Sequence, residues 1–286
     1  NQLTSISESD DNGDGNIDDR HSGTNTYDQR GNLLTSISEY DHDGDGNIDD
    51  RYSDTNTYDQ RGNRLTSVSE YDENGDGNID SRTSSTNTYD QRGNLLTSIS
   101  EADNNVDGTI DSLYSSTNTY DRRGNQLTSV SEADGNADGT IDSLYSSTNT
   151  YDQRGNQLTS VSEADGNADG TIDYRTSSTN TYDQRGNLLT SVSEYDNNAD
   201  GTINYRNSET NTYDQRGNLL TSVFEANNSA DGTIDFRNSE TNTYDQMGNQ
   251  LTSVSEIDTD GDGLLNYRFS NTNTYDQRGN QLTSVY

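Results

Sequence analysis

Apolar residues are sparse along this chain and recur at four positions of a fixed pattern, as at Tyr58, Leu65, Val68 and Ile79. The residues between them are rich in Thr, Ser and Tyr, which are typical of β-strands. Two kinds of polar turn signal alternate with these segments. The pattern predicts strands that expose both faces and lack a thick hydrophobic core.

A Tyr-Asp dipeptide marks an internal repeat. It recurs every 31 residues without insertion or deletion, at Tyr27, Tyr58, Tyr89, Tyr120, Tyr151, Tyr182, Tyr213, Tyr244 and Tyr275. Such strict periodicity is the signature of a repeat array. We therefore expect residues 1–286 to form one array of nine copies, with no separate globular domain.

The first turn signal lies in TNTYDQRGNLLTS, residues 24–36. Asp28 suits the first position of a type I turn, and Gly31 suits a left-handed residue that closes it. This pattern predicts a three-residue hairpin loop with a glycine bulge, and so one β-hairpin per copy. A flexible Ser/Thr/Asn-rich linker is the alternative.

The side chains on each face follow from the pairing across this turn. We expect Asp59 to pair with Asn63 in the second copy. Because side chains alternate along a strand, that register places Tyr52 and Val68 on one face and Tyr71 on the other.

The predicted fold is all-β: an elongated array of nine units, each an antiparallel hairpin followed by a calcium-binding loop. A β-solenoid is the alternative.

The composition is strongly acidic, with 51 Asp and Glu, 17 Arg and a formal net charge of −34. Low hydrophobicity with high net charge usually indicates disorder. The absence of proline and the 19 Tyr residues favour order instead. An ordered chain of this charge requires cations as partners, whereas nucleic acid phosphates would be repelled.

The second turn signal, EYDHDGDGNIDDR at residues 39–51, has the spacing of a calcium loop. Positions 1, 3 and 5 are Asp41, Asp43 and Asp45, position 6 is Gly46, and position 9 is Asp49. Ca²⁺ binds six to eight oxygens, and this order supplies side-chain oxygens together with a backbone carbonyl at position 7. The sequence therefore predicts one Ca²⁺ site per copy.

We number the loops 1 to 9 in chain order. Their predicted ligands at positions 1, 3, 5, 7 and 9 are Asp10, Asn12, Asp14, Asn16 and Asp18; Asp41, Asp43, Asp45, Asn47 and Asp49; Asp72, Asn74, Asp76, Asn78 and Asp80; Asp103, Asn105, Asp107, Thr109 and Asp111; Asp134, Asn136, Asp138, Thr140 and Asp142; Asp165, Asn167, Asp169, Thr171 and Asp173; Asp196, Asn198, Asp200, Thr202 and Asn204; Asn227, Ser229, Asp231, Thr233 and Asp235; and Asp258, Asp260, Asp262, Leu264 and Asn266. Loop 8 has no carboxylate at position 1 or position 3, and we expect it to bind most weakly.

No loop has a carboxylate at position 12, where an EF-hand has a bidentate Glu. A Glu instead lies two residues before position 1 in every copy: Glu8, Glu39, Glu70, Glu101, Glu132, Glu163, Glu194, Glu225 and Glu256. We expect this Glu to supply the missing ligand. A solvated, metal-free acidic turn is the alternative, and Mg²⁺ fits less well because it usually keeps several waters.

Other classes of function are disfavoured. The chain has no Cys for disulfides and no apolar run of about 18 residues for a transmembrane helix. Its paired carboxylates recur in every copy, whereas a catalytic site would break the repeat symmetry. We therefore do not expect an enzyme.

The segment TYDQRGNLLT resembles the YD repeat of Rhs-type and teneurin-like proteins, in which hairpins line up into a long antiparallel sheet that spirals into a shell. The stretch from Asp41 to Asp49 is similar to the EF-hand-like loops of dockerins and thrombospondin type 3 repeats. The combination resembles large secreted bacterial surface proteins, which implies an extracellular setting.

These features predict an extracellular structural protein: a calcium-rigidified rod that self-associates into a filament, matrix or sheath. An adhesin stalk, a fragment of a toxin-enclosing shell, and an ice-binding surface built on the Thr-Asn-Thr segments are the alternatives.

Overall fold

The computed structural model describes residues 3–13, 15–229 and 231–286, which form β-strands and no helix. The strands are β1 (Thr4–Ser9), β2 (Asp19–Tyr27), β3 (Leu33–Asp41), β4 (Asp50–Tyr58), β5 (Arg64–Asp72), β6 (Ser81–Tyr89), β7 (Leu95–Asp103), β8 (Ser112–Tyr120), β9 (Gln126–Asp134), β10 (Ser143–Tyr151), β11 (Gln157–Asp165), β12 (Tyr174–Tyr182), β13 (Leu188–Asp196), β14 (Tyr205–Tyr213), β15 (Leu219–Asn227), β16 (Phe236–Tyr244), β17 (Gln250–Asp258), β18 (Tyr267–Tyr275) and β19 (Gln281–Val285). None of the described segments is a helix long and apolar enough to cross a membrane.

The chain divides into two compact units, Asn1–Leu144 and Tyr145–Tyr286. The first unit contains β1 to β9, the second contains β11 to β19, and β10 runs across the boundary. Within each unit, consecutive strands pair antiparallel. The predicted all-β array of repeated hairpins is confirmed.

The two kinds of connection lie at opposite ends of the strands, because they alternate along an antiparallel sheet. The YD turns therefore form one edge of each unit, here called the turn edge. The acidic loops form the other edge, here called the loop edge. Loops 1 to 5 belong to the first unit and loops 6 to 9 to the second.

The YD turn has the predicted geometry. The Asp59 N–H donates to the Asn63 carbonyl at 2.9 Å, and the Gly62 N–H donates to the Asp59 carbonyl at 3.2 Å. Gly62 has φ of 92°, which only glycine adopts without strain. The Asp59 carboxylate accepts bonds from the Arg61 N–H at 2.7 Å and from the Asn63 N–H and side chain at 2.9 and 2.8 Å. These hydrogen bonds, with the Asn63 side chain first, hold the pKa of Asp59 below its usual value.

The predicted faces are wrong by one residue. A bulge between Thr57 and Tyr58 leaves Leu65 without a partner in the ladder, so Tyr52 pairs with Tyr71 rather than facing away from it. Val68 lies on the opposite face. A bulge adds one residue to one strand, and a one-residue shift moves every later side chain to the other face.

Polar contacts connect successive hairpins because little apolar surface is available. Ala226 is the one fully buried apolar residue of the described chain. The Tyr89 hydroxyl and the Asn87 side-chain amide of one hairpin both donate to the Arg64 carbonyl of the preceding hairpin, at 3.0 and 3.1 Å. The equivalent Tyr and Asn in the second unit bond the carbonyl of Gln157 in the same way. Asn87 is 8% exposed, so the most buried layer of the sheet is polar.

Candidate metal centres in the acidic loops

Each acidic loop begins on the last residue of a strand. Asp41 ends β3, and the following loop leads to Asp50 at the start of β4. The position-9 N–H, from Asp49, donates to the Tyr40 carbonyl at 2.7 Å. The position-2 N–H, from His42, donates to Asp49 Oδ2 at 2.6 Å. Both bonds recur in all nine loops, so the first and ninth positions are held close together.

The glycine at position 6 makes the sharp turn that the sequence predicts. Gly46 has φ of 90°, and its N–H donates to Asp41 Oδ2 at 3.0 Å. The same bond, at 2.8–3.1 Å, recurs in loops 1 to 7 and in loop 9. One oxygen of the position-1 carboxylate is therefore held by the loop itself.

The other oxygen of this carboxylate, Oδ1, distinguishes five of the loops. It is buried and has no hydrogen-bond partner among the described residues in Asp41, Asp72, Asp103, Asp134 and Asp196. These five residues are only 2–7% exposed. A buried carboxylate oxygen without a partner is costly, and nearby carboxylates raise that cost.

No ion pair among the described residues includes one of these five carboxylates. Arg51 lies opposite Asp72 in the β4–β5 ladder, yet it forms its ion pair with Glu39 at 3.5 Å. In loops 6 and 9 the position-1 Oδ1 accepts backbone N–H groups instead, as Asp258 Oδ1 does from Gly261 at 2.8 Å.

Two loops gather three carboxylates around one point. Asp41, Asp43 and Asp49 each place an oxygen within 4.8 Å of the other two. Asp258, Asp260 and Asp262 do the same in loop 9. Loops 4 to 7 have Asn at position 3, which contributes an amide oxygen in place of a carboxylate.

Position 5 is held in its charged form. The Asp45 carboxylate accepts the Asn47 backbone N–H at 2.8 Å, and this bond, followed by the Asn47 side chain, lowers the pKa of Asp45. The pKa of the position-5 carboxylate is also lowered in loops 4 to 8. A metal ligand must be deprotonated, so this network prepares the group for a cation.

The Glu before the loop forms an ion pair with an Arg of the neighbouring strand in most copies. Glu39 contacts Arg51 and accepts a bond from Ser22 at 3.2 Å, and equivalent Glu–Arg pairs occur in seven copies. Neither carboxylate group described above includes this Glu. Glu256 does line a cavity of about 290 Å³ together with Asp258 and Gly263 of loop 9. Its role as a metal ligand stays a prediction.

Position 12 lies beyond the loop and inside the next strand. In loop 2 it is Tyr52, whose ring stacks on Tyr71 with centroids 4.2 Å apart. That contact belongs to the face opposite Asp72. This position therefore points away from the loop, as the absence of a carboxylate there indicates.

Two features of the loop edge were not predicted. His21, Tyr40, Tyr52 and Tyr71 form a chain of ring contacts at 4.2–6.1 Å in the first unit. The predicted register placed Tyr52 and Tyr71 on opposite faces, so this chain of contacts could not be predicted without the observed register. Successive loops also contact each other: a Cβ at Gly75, position 4 of loop 3, would overlap the carbonyl of Ile48 in loop 2.

Position 4 is strained in loops 4 to 7, where it carries a side chain. Val106, Ala137, Ala168 and Ala199 have φ of 49–51°, which is unfavourable for residues with a Cβ. Asp14, predicted at position 5 of loop 1, lies outside the described residues.

No protein-family model and no curated protein matches this chain. A porin-like protein from Bacteroides uniformis is similar over 81% of this chain and 90% of its own, at 14% identity and a TM-score of 0.30. The TcdB2-TccC3-Cdc42 structure covers 93% of this chain at 13% identity and a TM-score of 0.25. The Photorhabdus luminescens Tc holotoxin pore covers 98% at 13% identity and a TM-score of 0.25.

This chain spans only 19% and 20% of the two toxin-complex chains. Similarity at these TM-scores does not establish a shared fold, and it indicates nothing about function.

Proposed function

We propose that the acidic loops bind Ca²⁺ and that the chain is a calcium-stiffened structural protein of the extracellular space, used in a filament, matrix or sheath. The observation that carries this proposal is the buried position-1 carboxylate, as in Asp72, whose Oδ1 has no partner among the described residues. All candidate donors are oxygens of Asp, Asn and the backbone. That donor set suits Ca²⁺ better than metals that prefer nitrogen or sulfur.

Calcium would act on the fold through charge. Each loop carries between two and four carboxylates at its ligand positions, and nine divalent ions would offset about half of the formal charge of −34. The loop residues that would hold the ion come together only when the adjacent strands are paired. Ion binding therefore stabilises the folded state by mass action.

A structural role follows from the uniformity of the repeat. The same turn, loop and interstrand bonds recur from copy to copy among the described residues. The Thr-Asn-Thr segments also serve the sheet, because Thr57 Oγ1 and Thr66 Oγ1 bond each other across strands at 2.6 Å. An extracellular setting would supply Ca²⁺ at the millimolar level that weak sites require.

The test is a triple substitution at three buried position-1 residues, Asp41→Asn, Asp72→Asn and Asp134→Asn. Asn keeps one oxygen for the position-6 N–H and removes the charge. We expect a Ca²⁺ titration to show three weakened sites per chain, because position 1 of each then matches Asn227 of loop 8, the loop expected to bind most weakly. In EGTA the variant should melt at or above the wild-type temperature, because three unpaired buried charges are gone.

The matched control removes three carboxylates outside the loops, through Asp54→Asn, Glu209→Gln and Glu240→Gln. It should keep the wild-type Ca²⁺ stoichiometry and the wild-type stabilisation by Ca²⁺. Identical Ca²⁺ titrations of wild type and the position-1 variant would contradict the calcium proposal.

A further inference from the structure

We infer that two copies of this chain associate side by side, with the arginines of one turn edge inserted among the carboxylates of the other copy's loop edge. This inference rests on the proposed structural role. The partner surface is a second copy of this chain, and the recognition is between guanidinium and carboxylate groups.

Apart from Arg64 and Arg122, the arginines fall into two sets with different surroundings. The strand arginines pair with Glu of the neighbouring strand at 3.1–3.6 Å, in the pairs of Arg20, Arg51, Arg82, Arg175, Arg206, Arg237 and Arg268. The turn arginines are all exposed, and none forms an ion pair with a described residue: Arg30, Arg61, Arg92, Arg123, Arg154, Arg185, Arg216 and Arg278. A chain with 51 acidic residues thus leaves a whole rank of cations unpaired.

The turn does not require this side chain. In the eighth YD turn the position is Met247, and the turn is otherwise the same. The Met247 N–H still donates to Asp245 Oδ1 at 2.8 Å, and the Asn249 N–H donates to the same oxygen at 2.9 Å. Only the backbone of this residue is used, so the arginine side chain remains available for another contact.

The loop edge offers complementary groups. Asp43 and Asp45, positions 3 and 5 of loop 2, are exposed. Loop 2 has four carboxylates at its ligand positions, so a bound Ca²⁺ would leave it with a net charge of about −2. Guanidinium forms bidentate, planar contacts with carboxylates, which a Lys ammonium cannot do, and every basic residue of this chain is Arg.

The two edges also have the same period. Each 31-residue repeat adds one turn to the turn edge and one loop to the loop edge. Neighbouring turns, and likewise neighbouring loops, are therefore two strands apart, or about 9–10 Å. When one turn arginine contacts a loop of the second chain, the turn arginine of the next repeat therefore lies beside the next loop of that chain. Several weak surface pairs, each worth little alone, then act together.

The experiment compares wild type with a variant in which the eight turn arginines are replaced by Gln. Both are studied as full chains in 1 mM Ca²⁺ by sedimentation velocity and negative-stain electron microscopy. We expect wild type to form laterally paired particles at about 50 mM salt and to separate at about 0.5 M salt, because exposed pairs are screened. The turn-arginine variant should remain unpaired at both salt concentrations.

Two further variants make the result specific. Replacing the seven strand arginines by Gln removes a similar charge, and that variant should still pair. Met247→Arg completes the rank and should raise the salt concentration needed for separation. Pairing that persists in the turn-arginine variant, through calcium bridges or strand edges, would overturn the inference, as would wild type that stays unpaired at low salt.

Calcium binding is measured by dialysis on the same samples. Normal Ca²⁺ stoichiometry with no pairing contradicts only the lateral contact. Absent Ca²⁺ binding contradicts the proposed function, whatever the state of association.

Discussion

Single residues in this chain act mainly through hydrogen bonds to charged oxygens. Asp59 holds its turn with three such bonds, and Asp41 receives the position-6 N–H while its second oxygen stays unpartnered. The first arrangement is complete within the protein. In the second, a bound cation would supply the missing partner, as the proposed function requires.

The first residue-scale prediction concerns the Glu that precedes each loop. Glu101 and Glu132 are suited to the test, because Leu113 and Leu144 replace the strand Arg in their copies and no described ion pair is lost. If this Glu is a ligand, the double substitution Glu101→Gln and Glu132→Gln weakens two Ca²⁺ sites per chain. Isothermal titration calorimetry should show the change.

Glu163→Gln is the comparison variant. Glu163 pairs with Arg175 at 3.2 Å, so this substitution breaks an ion pair as well as removing the carboxylate. An unchanged Ca²⁺ titration of the double variant would show that the Glu is not a ligand.

The second residue-scale prediction concerns acid. The pKa is lowered in all nine turn aspartates, mainly by the Asn side chain four residues on, and in several position-5 aspartates. A lowered pKa means that the unfolded chain binds more protons as the pH falls. The stabilisation is therefore complete above about pH 4 and is lost as the pH falls through the lowered values.

Thermal melts in EGTA between pH 5 and pH 2 would check this. We expect the melting temperature to fall steadily below about pH 4. A constant or rising melting temperature over that interval would show that relief of carboxylate repulsion dominates.

At the scale of elements, a hairpin is attached to its neighbour by few but specific contacts. On the turn edge, the YD tyrosine and a buried Asn share one carbonyl of the preceding hairpin. On the loop edge, the position-4 glycine packs on the carbonyl of the preceding loop. These contacts take the place of an apolar core, so the stability of a unit depends on how well neighbours fit.

Tyr89→Phe tests the contact on the turn edge. It removes the hydroxyl that donates to the Arg64 carbonyl at 3.0 Å and should cost about 1 kcal/mol. Hydrogen exchange of the β5 and β6 amides is the suitable measurement, since repeat proteins unfold in parts. Tyr114→Phe, at a residue that is 55% exposed, is the matched control and should change exchange little.

Gly75→Ala tests the contact on the loop edge. Gly75 has φ of 64°, and a Cβ there would overlap the Ile48 carbonyl. Gly13→Ala is matched, because Gly13 has φ of 72° but no heavy atom within 4 Å of the added Cβ. Both substitutions should lower the free energy of unfolding by about 1–2 kcal/mol through backbone strain. Only Gly75→Ala should also displace the preceding loop.

We expect faster hydrogen exchange at the amides around Ile48 in Gly75→Ala. Gly13→Ala should show no comparable local change. Equal effects would show that loop-to-loop contact contributes nothing beyond strain.

At the scale of the whole molecule, charge controls both stability and association. The formal charge of −34 opposes folding and opposes the approach of a second copy. Divalent ions bound as proposed would reduce both penalties at once.

The corresponding prediction compares 1 mM Ca²⁺ with EGTA. When the free Ca²⁺ concentration is 100 times the dissociation constant of a site, binding at that site adds about 2.7 kcal/mol to the free energy of unfolding. We expect a clearly higher melting temperature in Ca²⁺, a smaller effect of Mg²⁺, and fibres or rods in electron micrographs that disappear with EGTA. Fibres would favour a filament, single rods would favour a stalk, and no response to EGTA would contradict the calcium proposal.

The sequence by itself determined the hairpins, the turn geometry and the loop positions. These depend on local chemistry: Asp and Gly at fixed offsets such as Asp59 and Gly62, and side-chain oxygens spaced within nine residues. Such features are set by neighbours in the chain, so periodicity was sufficient to find them.

Only the tertiary structure decided which side chains share a face and which oxygens lack a partner. The bulge at Leu65 shifts the register by one residue, and no sequence pattern indicated this bulge. The pairing of Glu39 with Arg51, and the isolation of Asp72 Oδ1, depend on adjacent strands. These are contacts between different hairpins, and the order of residues within one copy does not fix them.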